Sequence, residues 1–323
     1  MDATFLGPNY NSVLAAAAWS TGAVPGPADT ASMGGFVGNL SYASWSPGNL
    51  TDGGLATSGV LMSGTSTLSV AGYISSTVKS TAGYGSAFIT GGGGSNPTIS
   101  CNALNVSGGG YGIKFSFGYN VNLTVGAGGI TASGAGTIAV TYYYPNLNSA
   151  GTFRYSGNGT ATAGACVFMQ RANLISGPAT AMWTGNLSAN GAGSSCTKVT
   201  TSAPPVTVNG NLTASNGAMI DGLAFSQGPF TVVNGVVNIT AGGLLTLNAG
   251  GLLILQNPLV MDNTSTYTNH GGVLVHVGAL PPQVVNPGTH FQVPTPQQVL
   301  QNIPFGMGLN GILRPRDRAI VLS

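Results

Sequence analysis

The amino-acid sequence predicts an all-β protein, and two observations carry that prediction. Between Pro205 and Gln256, short runs of β-branched residues and leucine alternate with Asn-Gly and Gly-Gly pairs. Val206, Val208, Leu212 and Ala214 share one parity, which places them on one face of an extended strand. The chain also contains six Asn-Gly pairs, which are typical of turns that need positive φ. These pairs begin at Asn158, Asn190, Asn209, Asn216, Asn234 and Asn310.

Two topologies remain open at this level. The segment Ala241–Leu245 (AGGLL) returns as Ala249–Leu253, and such a tandem favours a solenoid. The segment Phe230–Thr240 instead has Asn-Gly between two valine-rich runs, which predicts a β-hairpin and favours an antiparallel fold. The sequence therefore predicts a β-solenoid-like fold or an antiparallel sandwich or jelly roll, in either case with extended N- and C-terminal arms.

Gly and Pro clusters divide the chain into four segments. They are an N-terminal arm (1–54), a Gly-rich β region (55–203), a repeat-like β block (204–280) and a Pro-rich extended C-terminal arm (281–323). Val13–Ala18 is the one plausible helical turn of the first arm, which we expect to pack on a neighbouring subunit. Proline fixes φ and removes a backbone donor, so the second arm is expected to lie extended across a surface.

Charged residues are unusually rare. They make up 4% of the chain, against about 25% in ordinary soluble proteins. Hydrophobic residues make up 43%, so the composition is not that of a disordered chain. Residues 1–313 are neutral overall, and the last ten residues supply the net charge of +2. A neutral chain with so few charges would be poorly soluble as a free monomer. We therefore expect a homo-oligomer whose sides are covered by copies of itself and by other assembly proteins.

Several other partners and locations are disfavoured. No run of 18 or more apolar residues exists, so we expect no transmembrane segment. The N-terminus lacks the positively charged region of a signal peptide. Cys101, Cys166 and Cys196 are odd in number and widely spaced, which argues against a disulfide framework. The three C-terminal arginines are too few for tight phosphate binding, so no specific nucleic-acid partner is expected.

Residues that could carry catalysis or bind a metal are scarce. Asp221 and Asp262 are the only plausible carboxylate pair for glycosidase chemistry. His270 and His276 lie six residues apart and with His290 could form a metal site at a symmetry axis. We interpret these histidines instead as isolated side chains. The sequence predicts no enzyme, no catalytic or metal residues and no cofactor.

Two clusters are candidate assembly contacts. Tyr142, Tyr143 and Tyr144 are consecutive in a predicted strand, so one strand face is expected to be covered by another element or subunit. Arg314, Arg316 and Arg318 form a basic cluster that we interpret as a terminal clamp between subunits.

Residues 206–256 resemble the Gly/Asn-rich strand-and-turn repeats of β-solenoid structural proteins of virions and cell surfaces. The resemblance covers about a sixth of the chain and contains no diagnostic motif. It implies a structural subunit of a large assembly, a virion protein such as a capsid, capsid-associated or fibre subunit. A cell-surface filament or layer protein is the alternative, and a carbohydrate-active β-helix enzyme is the third hypothesis.

Overall fold

The structure is a computed structural model, and it describes residues 1–55, 57–77, 87–91, 96–116, 120–144, 152–172, 180–200, 206–220 and 230–293. Short strands dominate this part, with one 3-10 helix at Ala16–Ala18. The strands of the first half are β1 (Asp2–Thr4), β2 (Thr30–Ser32), β3 (Val37–Ser41), β4 (Ser44–Trp45), β5 (Asn49–Thr51), β6 (Gly59–Ser63), β7 (Thr67–Ser76), β8 (Ala87–Gly91), β9 (Thr98–Ser107), β10 (Tyr111–Ser116), β11 (Val121–Ser133), β12 (Ile138–Tyr144), β13 (Thr152–Ser156) and β14 (Gly159–Thr162). Those of the second half are β15 (Cys166–Ala172), β16 (Thr180–Thr184), β17 (Leu187–Asn190), β18 (Ser195–Thr200), β19 (Val206–Val208), β20 (Leu212–Ser215), β21 (Met219–Ile220), β22 (Phe230–Val233), β23 (Val237–Thr240), β24 (Leu244–Asn248), β25 (Leu252–Leu255), β26 (Val260–Met261), β27 (Thr266–His270), β28 (Val273–Val277) and β29 (Thr289–Val293).

The strands stack into three parallel ladders that form a β-solenoid. Ladder 1 contains β4, β13, β16, β19, β22, β25, β28 and β29. Ladder 2 contains β1, β2, β5, β14, β17, β20, β23 and β26. Ladder 3 contains β3, β6, β8, β10, β12, β15, β18, β21, β24 and β27. The long strands β7, β9 and β11 belong to ladder 1 at their N-terminal ends and to ladder 2 at their C-terminal ends, with a register shift between.

This topology confirms the solenoid and corrects the hairpin. The strands β22 and β23 flank Asn234-Gly235, yet they do not pair with each other. The strand β22 pairs with β19 and β25, and β23 pairs with β20 and β26. Asn-Gly therefore turns the chain from ladder 1 to ladder 2 within one coil. The antiparallel sandwich or jelly roll is not the fold, because the pairings between the named strands are parallel.

The coil repeat is longer than the sequence tandem. Leu187 pairs with Leu212 and Leu212 with Val237, and the hydrogen bond from the Asn211 amide to the Asn186 side chain spans 25 residues. The two AGGLL segments are different corners of one coil, because the first leads into β24 and the second into β25. Their eight-residue spacing is the length of one strand with its turn.

Inward-facing side chains from the three ladders make one continuous core. Successive residues of a strand point to opposite faces, so each strand gives alternate residues to the interior. In ladder 2 the inward residues are mostly Leu, Ile, Val and Ala, and they are buried. Larger rings also stack inside the solenoid: Phe168 lies 4.9 Å from Tyr155 and 5.0 Å from Trp183 between ring centroids.

The predicted N-terminal arm is part of the solenoid. The strands β1 to β5 pair within the ladders, and Phe5, Trp19 and Trp45 are buried. The segment before Ala16 crosses the open edge of β3, where the amide of Asn39 donates to the carbonyl of Asn11 (2.7 Å). These contacts cap the first coil. The strands here have two to five residues, too few for the alternation to be read from sequence alone.

The ladders also cross the other proposed boundaries. The strand β5 pairs with β7 across residue 54, and β16 pairs with β19 across residue 203. The start of the predicted C-terminal arm adds β29 to ladder 1 by pairing with β28. The rest of that arm, residues 294–323, lies outside the described residues.

Candidate interaction surface

The outer side of ladder 2 carries two straight columns of hydroxyl and amide side chains, which we call the hydroxyl face. Six consecutive coils contribute the triplets NVS, TAS, TAT, SAN, TAS and NIT, in which the middle residue is buried and the outer two point away from the core. Strand register aligns the first residues into one column and the third residues into another. The columns are Asn105, Thr131, Thr160, Ser188, Thr213 and Asn238, and Ser107, Ser133, Thr162, Asn190, Ser215 and Thr240.

The twelve side chains are uncharged, and some contact each other along the axis. The hydroxyls of Thr160 and Ser188 lie 3.0 Å apart. Asn190 Oδ1 also accepts a hydrogen bond at 2.7 Å from Nδ2 of Asn216, which lies just beyond the columns. Asn105, Thr131 and Asn190 are exposed, and the other nine side chains are half-buried. The face is therefore polar and neutral, and it is partly accessible to solvent, although Asn238 Oδ1 in the last coil is buried.

The corner between ladders 1 and 2, which we call corner A, is held by an asparagine ladder. Asn158 Oδ1 accepts from the amide of Asn186 (3.1 Å), and Asn186 Oδ1 accepts from the amide of Asn211 (2.9 Å). Asn211 Oδ1 accepts in turn from the amide of Val236 (2.9 Å). Each side chain thus bonds the backbone of the next coil and fixes the rise between coils at one edge of the face.

The corner between ladders 2 and 3, corner B, contains buried hydroxyls. Thr137 donates to the carbonyl of Ser133 at 2.8 Å, and Ser194 donates to the carbonyl of Asn190 at 3.0 Å. The Ser194 hydroxyl also accepts from the amide of Gly164 in the preceding coil at 3.0 Å. Because these groups are buried, leaving them unpaired would cost about 1–3 kcal/mol each. Both edges of the hydroxyl face are therefore tied to neighbouring coils.

The outer side of ladder 1 changes character along the axis. One register column begins with polar residues and ends with apolar ones. Its members are Thr67, Thr98, Asn122, Arg154, Met182, Thr207, Val232, Ile254, Val275 and Phe291. Near the C-terminal end, Leu252, Ile254, Val275 and Val293 form an apolar cluster separate from the main core. Ladder 3 carries a smaller outer cluster of Ile138 and Cys166, with Tyr111 packed against it.

Of the predicted assembly residues, the three tyrosines have a described backbone. Tyr142, Tyr143 and Tyr144 end strand β12, where Tyr142 pairs with Phe115 and Gln170 through the backbone. Their side chains lie outside the described part of the chain. Arg314, Arg316 and Arg318 also lie outside it. Their proposed contacts therefore stay predictions.

Two of the three histidines come together. The rings of His276 and His290 stack with centroids 5.7 Å apart, on neighbouring strands of ladder 1. Burial lowers the pKa of His276, whose Nδ1 lies 2.9 Å from the carbonyl oxygen of Gly278. His270 is an exposed residue at the end of β27 on ladder 3. Within the described ranges, no three His, Cys or carboxylate groups are arranged to hold a metal ion.

Only one member of the predicted carboxylate pair lies in the described part of the chain. Asp221 lies outside the described residues. Asp262 caps the turn before β27: its carboxylate accepts from the amide of Ala241 (2.6 Å) and from the hydroxyls of Thr264 (2.8 Å) and Ser265 (2.7 Å). These hydrogen bonds hold the pKa of Asp262 far below its usual value. Such a carboxylate stays ionised and is occupied by its own turn.

Cys101, Cys166 and Cys196 are all buried and are not joined to one another by disulfides. Burial raises the pKa of the Cys101 thiol to about 12 and also raises that of Cys196. Thiols of this kind are poor nucleophiles, because the thiolate is the reactive form.

Sequence reasoning missed the hydroxyl face. Each triplet is ordinary alone, and the array emerges only when the coils are superposed. The signal was the 25-residue spacing of NLSAN, NLTAS and VVNIT, in which the same triplet follows the same corner.

Within the described residues, no helix is both long enough and apolar enough to cross a membrane. Comparison of the chain with protein-family models, with curated proteins and with solved structures found no match.

Proposed function

We propose that this chain is a structural subunit of a large assembly, a virion component such as a capsid, capsid-associated or fibre protein. It would act by packing against copies of itself and against other assembly proteins. The proposal gives it no catalytic role and no cofactor.

One observation carries the proposal: exposed apolar side chains are concentrated at the N-terminal end. Of the nine large exposed hydrophobic residues in the described ranges, six lie within the first 55 residues. They are Met1, Leu6, Tyr10, Leu14, Tyr42 and Leu55. Single apolar residues scattered over a surface are normal, whereas a concentration of them is typical of an interaction site.

The scarcity of charge supports packing at such a surface. The described residues contain one ion pair, between the amino group of Met1 and Asp29 (2.8 Å). A surface without charged groups can be buried against a neighbour without the cost of desolvating charges. The N-terminal contact would be made by side chains, because residues 9–13 and 18–20 already occupy backbone groups of β3 and β1.

The test is the oligomeric state of the purified chain, measured by analytical ultracentrifugation over a range of concentrations. We expect wild-type oligomers and a shift toward monomer in Leu6→Ser/Tyr10→Ser, since these side chains are 56% and 65% exposed. Val285→Ser is the matched control, because Val285 is 87% exposed near the opposite end. A wild-type protein that stays a monodisperse monomer would remove the proposal.

The alternative is a cell-surface filament or layer protein. Asn105 and Asn122 are exposed and stand in Asn-x-Ser/Thr sequences, which are acceptors for N-glycans in secreted proteins. Glycan mass on the native protein at either residue would favour the cell-surface assignment.

A further inference from the structure

We propose that the hydroxyl face binds ice. The proposal does not depend on the assembly role, because it concerns ladder 2, whereas that role rests on the N-terminal end. A subunit packed through its end would leave this face in contact with water.

The spacing of the face is close to that of a tetrahedral water network. Neighbouring strands lie about 4.7–4.9 Å apart, and residues two apart on a strand lie about 6.6 Å apart. Hydrogen-bonded hydroxyl or water oxygens lie about 2.75 Å apart, so second neighbours in a tetrahedral network are about 4.5 Å apart. The spacing between strands differs from that second-neighbour distance by about 0.3 Å, so the Cβ positions of three neighbouring coils stay within about 1 Å of such a network. The Thr160 and Ser188 hydroxyls, which lie 3.0 Å apart, instead match the first-neighbour distance of the network.

The chemistry of the face suits the same ligand. Each Ser and Thr hydroxyl is both donor and acceptor, and each Asn amide offers both functions on separate atoms. Water in ice needs the same mixed capacity from its neighbours. Between β11 and β20 the two columns contain four threonines: Thr131, Thr160, Thr162 and Thr213. Each also carries a methyl group and has a χ1 angle restricted by β-branching.

The backbone holds the pattern in place. At corner A the asparagine ladder bonds successive coils, and at corner B Ser194 does the same. Inward Leu187 and Leu212 and the alanines at 161, 189 and 214 anchor the strands from below. A ligand with a fixed lattice loses affinity when the spacing of its partners fluctuates, so this support bears directly on binding.

The face lacks the side chains that other classes of ligand require. Its twelve side chains include no carboxylate for a cation and no Arg or Lys for phosphate. They include no aromatic ring on which a sugar or base could stack. A second copy of the chain would gain little apolar burial from two polar surfaces.

Strand β11 supplies a matched pair of variants for the test. Thr131 and Thr124 are both exposed, but Thr131 lies on the hydroxyl face and Thr124 on the outer side of ladder 1. We would measure thermal hysteresis and partition into a growing ice crystal for wild type, Thr131→Lys and Thr124→Lys. Circular dichroism melting of each variant verifies its fold.

We expect the wild-type protein to be incorporated into the growing ice crystal. We also expect it to lower the freezing point of the solution below the melting point of the ice. Thr131→Lys should lose most of that separation, because a long charged side chain lifts the lattice off the face, and Thr124→Lys should keep it. A wild-type protein excluded from ice overturns the proposal, even if the chain forms oligomers. Equal losses in two well-folded variants also overturn it. Should Thr131→Lys instead abolish self-association while ice binding is absent, the face binds a second copy and the ice proposal fails.

Discussion

The two corners that flank ladder 2 can be compared directly, because both contain glycine in coil after coil. At corner A, a Cβ on Gly210 would fall against the carbonyl group of Gly185, far inside van der Waals contact, and a Cβ on Gly235 would meet Gly210 in the same way. At corner B, a Cβ on Gly217 would meet nothing nearer than 3.6 Å, but its φ is +76°. Gly210 and Gly235 of corner A are therefore required for space, whereas Gly217 of corner B is required for its conformation.

The non-glycine residues at corner B agree with this difference. Asn216, Ala163 and Ala241 adopt positive φ there, at 54°, 53° and 49°. An L-residue can enter that region at a cost of about 1–2 kcal/mol, whereas no rotamer relieves a backbone collision. Corner A is thus the more restrictive of the two, and four predictions test the contrast.

The largest effect is expected for Gly210→Ala at corner A. The added methyl group collides with the backbone of the coil below, so the two coils must separate locally. We expect the free energy of unfolding to fall by about 3 kcal/mol or more, measured by denaturant unfolding followed by circular dichroism. A loss below 1 kcal/mol would contradict the packing argument.

A smaller effect is expected for Gly217→Ala at corner B. The methyl group has room, and only the left-handed conformation is penalised, so stability should fall by about 1–2 kcal/mol. Gly217→Asn is the control, because Asn tolerates this region better than Ala and should lose less. If Gly217→Ala costs as much as Gly210→Ala, the two corners do not differ as described.

Removal of one rung of the asparagine ladder should cost less than either glycine substitution. Asn186→Ala deletes the acceptor of the Asn211 amide at an exposed site, so we expect a loss of about 0.5–1.5 kcal/mol in thermal or denaturant unfolding. Asn186→Asp keeps an acceptor oxygen and should retain most of that stability. An Asp variant as weak as the Ala variant would show that the hydrogen bond is not what matters.

The smallest effect concerns the dependence of corner B on pH. The pKa of Asp262 is lowered in the folded chain, first by the Ala241 amide and then by Ser265 and Thr264. Its contribution is therefore present above the unfolded pKa of about 3.9 and is lost as pH falls toward the lower folded value. Melting temperature should drop between about pH 5 and pH 2, and less steeply in Asp262→Asn. The neutral ladder of corner A should give Asn186→Ala the same pH slope as wild type.

The sequence predicts the strands beside these corners better than it predicts the structure near the chain ends. The alternation at Val206, Val208 and Leu212 identified strands, because each strand buries one face in a single core. Asn234-Gly235 predicts a hairpin because local chemistry specifies a turn but does not specify which strands pair. Strand pairing is determined by contacts between residues 25 apart in the sequence. A short stretch of sequence around the turn does not contain both partners.

The hydroxyl face was hidden for a related reason. Thr160 and Ser188 are ordinary polar residues of an alternating strand, and their adjacency depends on register between coils. The strands of the first coils were not predicted for a different reason, namely their short length. The strand β4 has two residues, so Trp45 belongs to no periodic pattern although it is buried.

The equal coils at Leu187, Leu212 and Val237 make the molecule modular in length. Because equivalent atoms recur every 25 residues there, deletion or duplication of one such unit joins the same corner to the same strand. The solenoid would shorten or lengthen by about 4.8 Å, and the coils on either side of the unit would meet equivalent neighbours. Gain or loss of such units would then change the length of the solenoid without substitutions at either end.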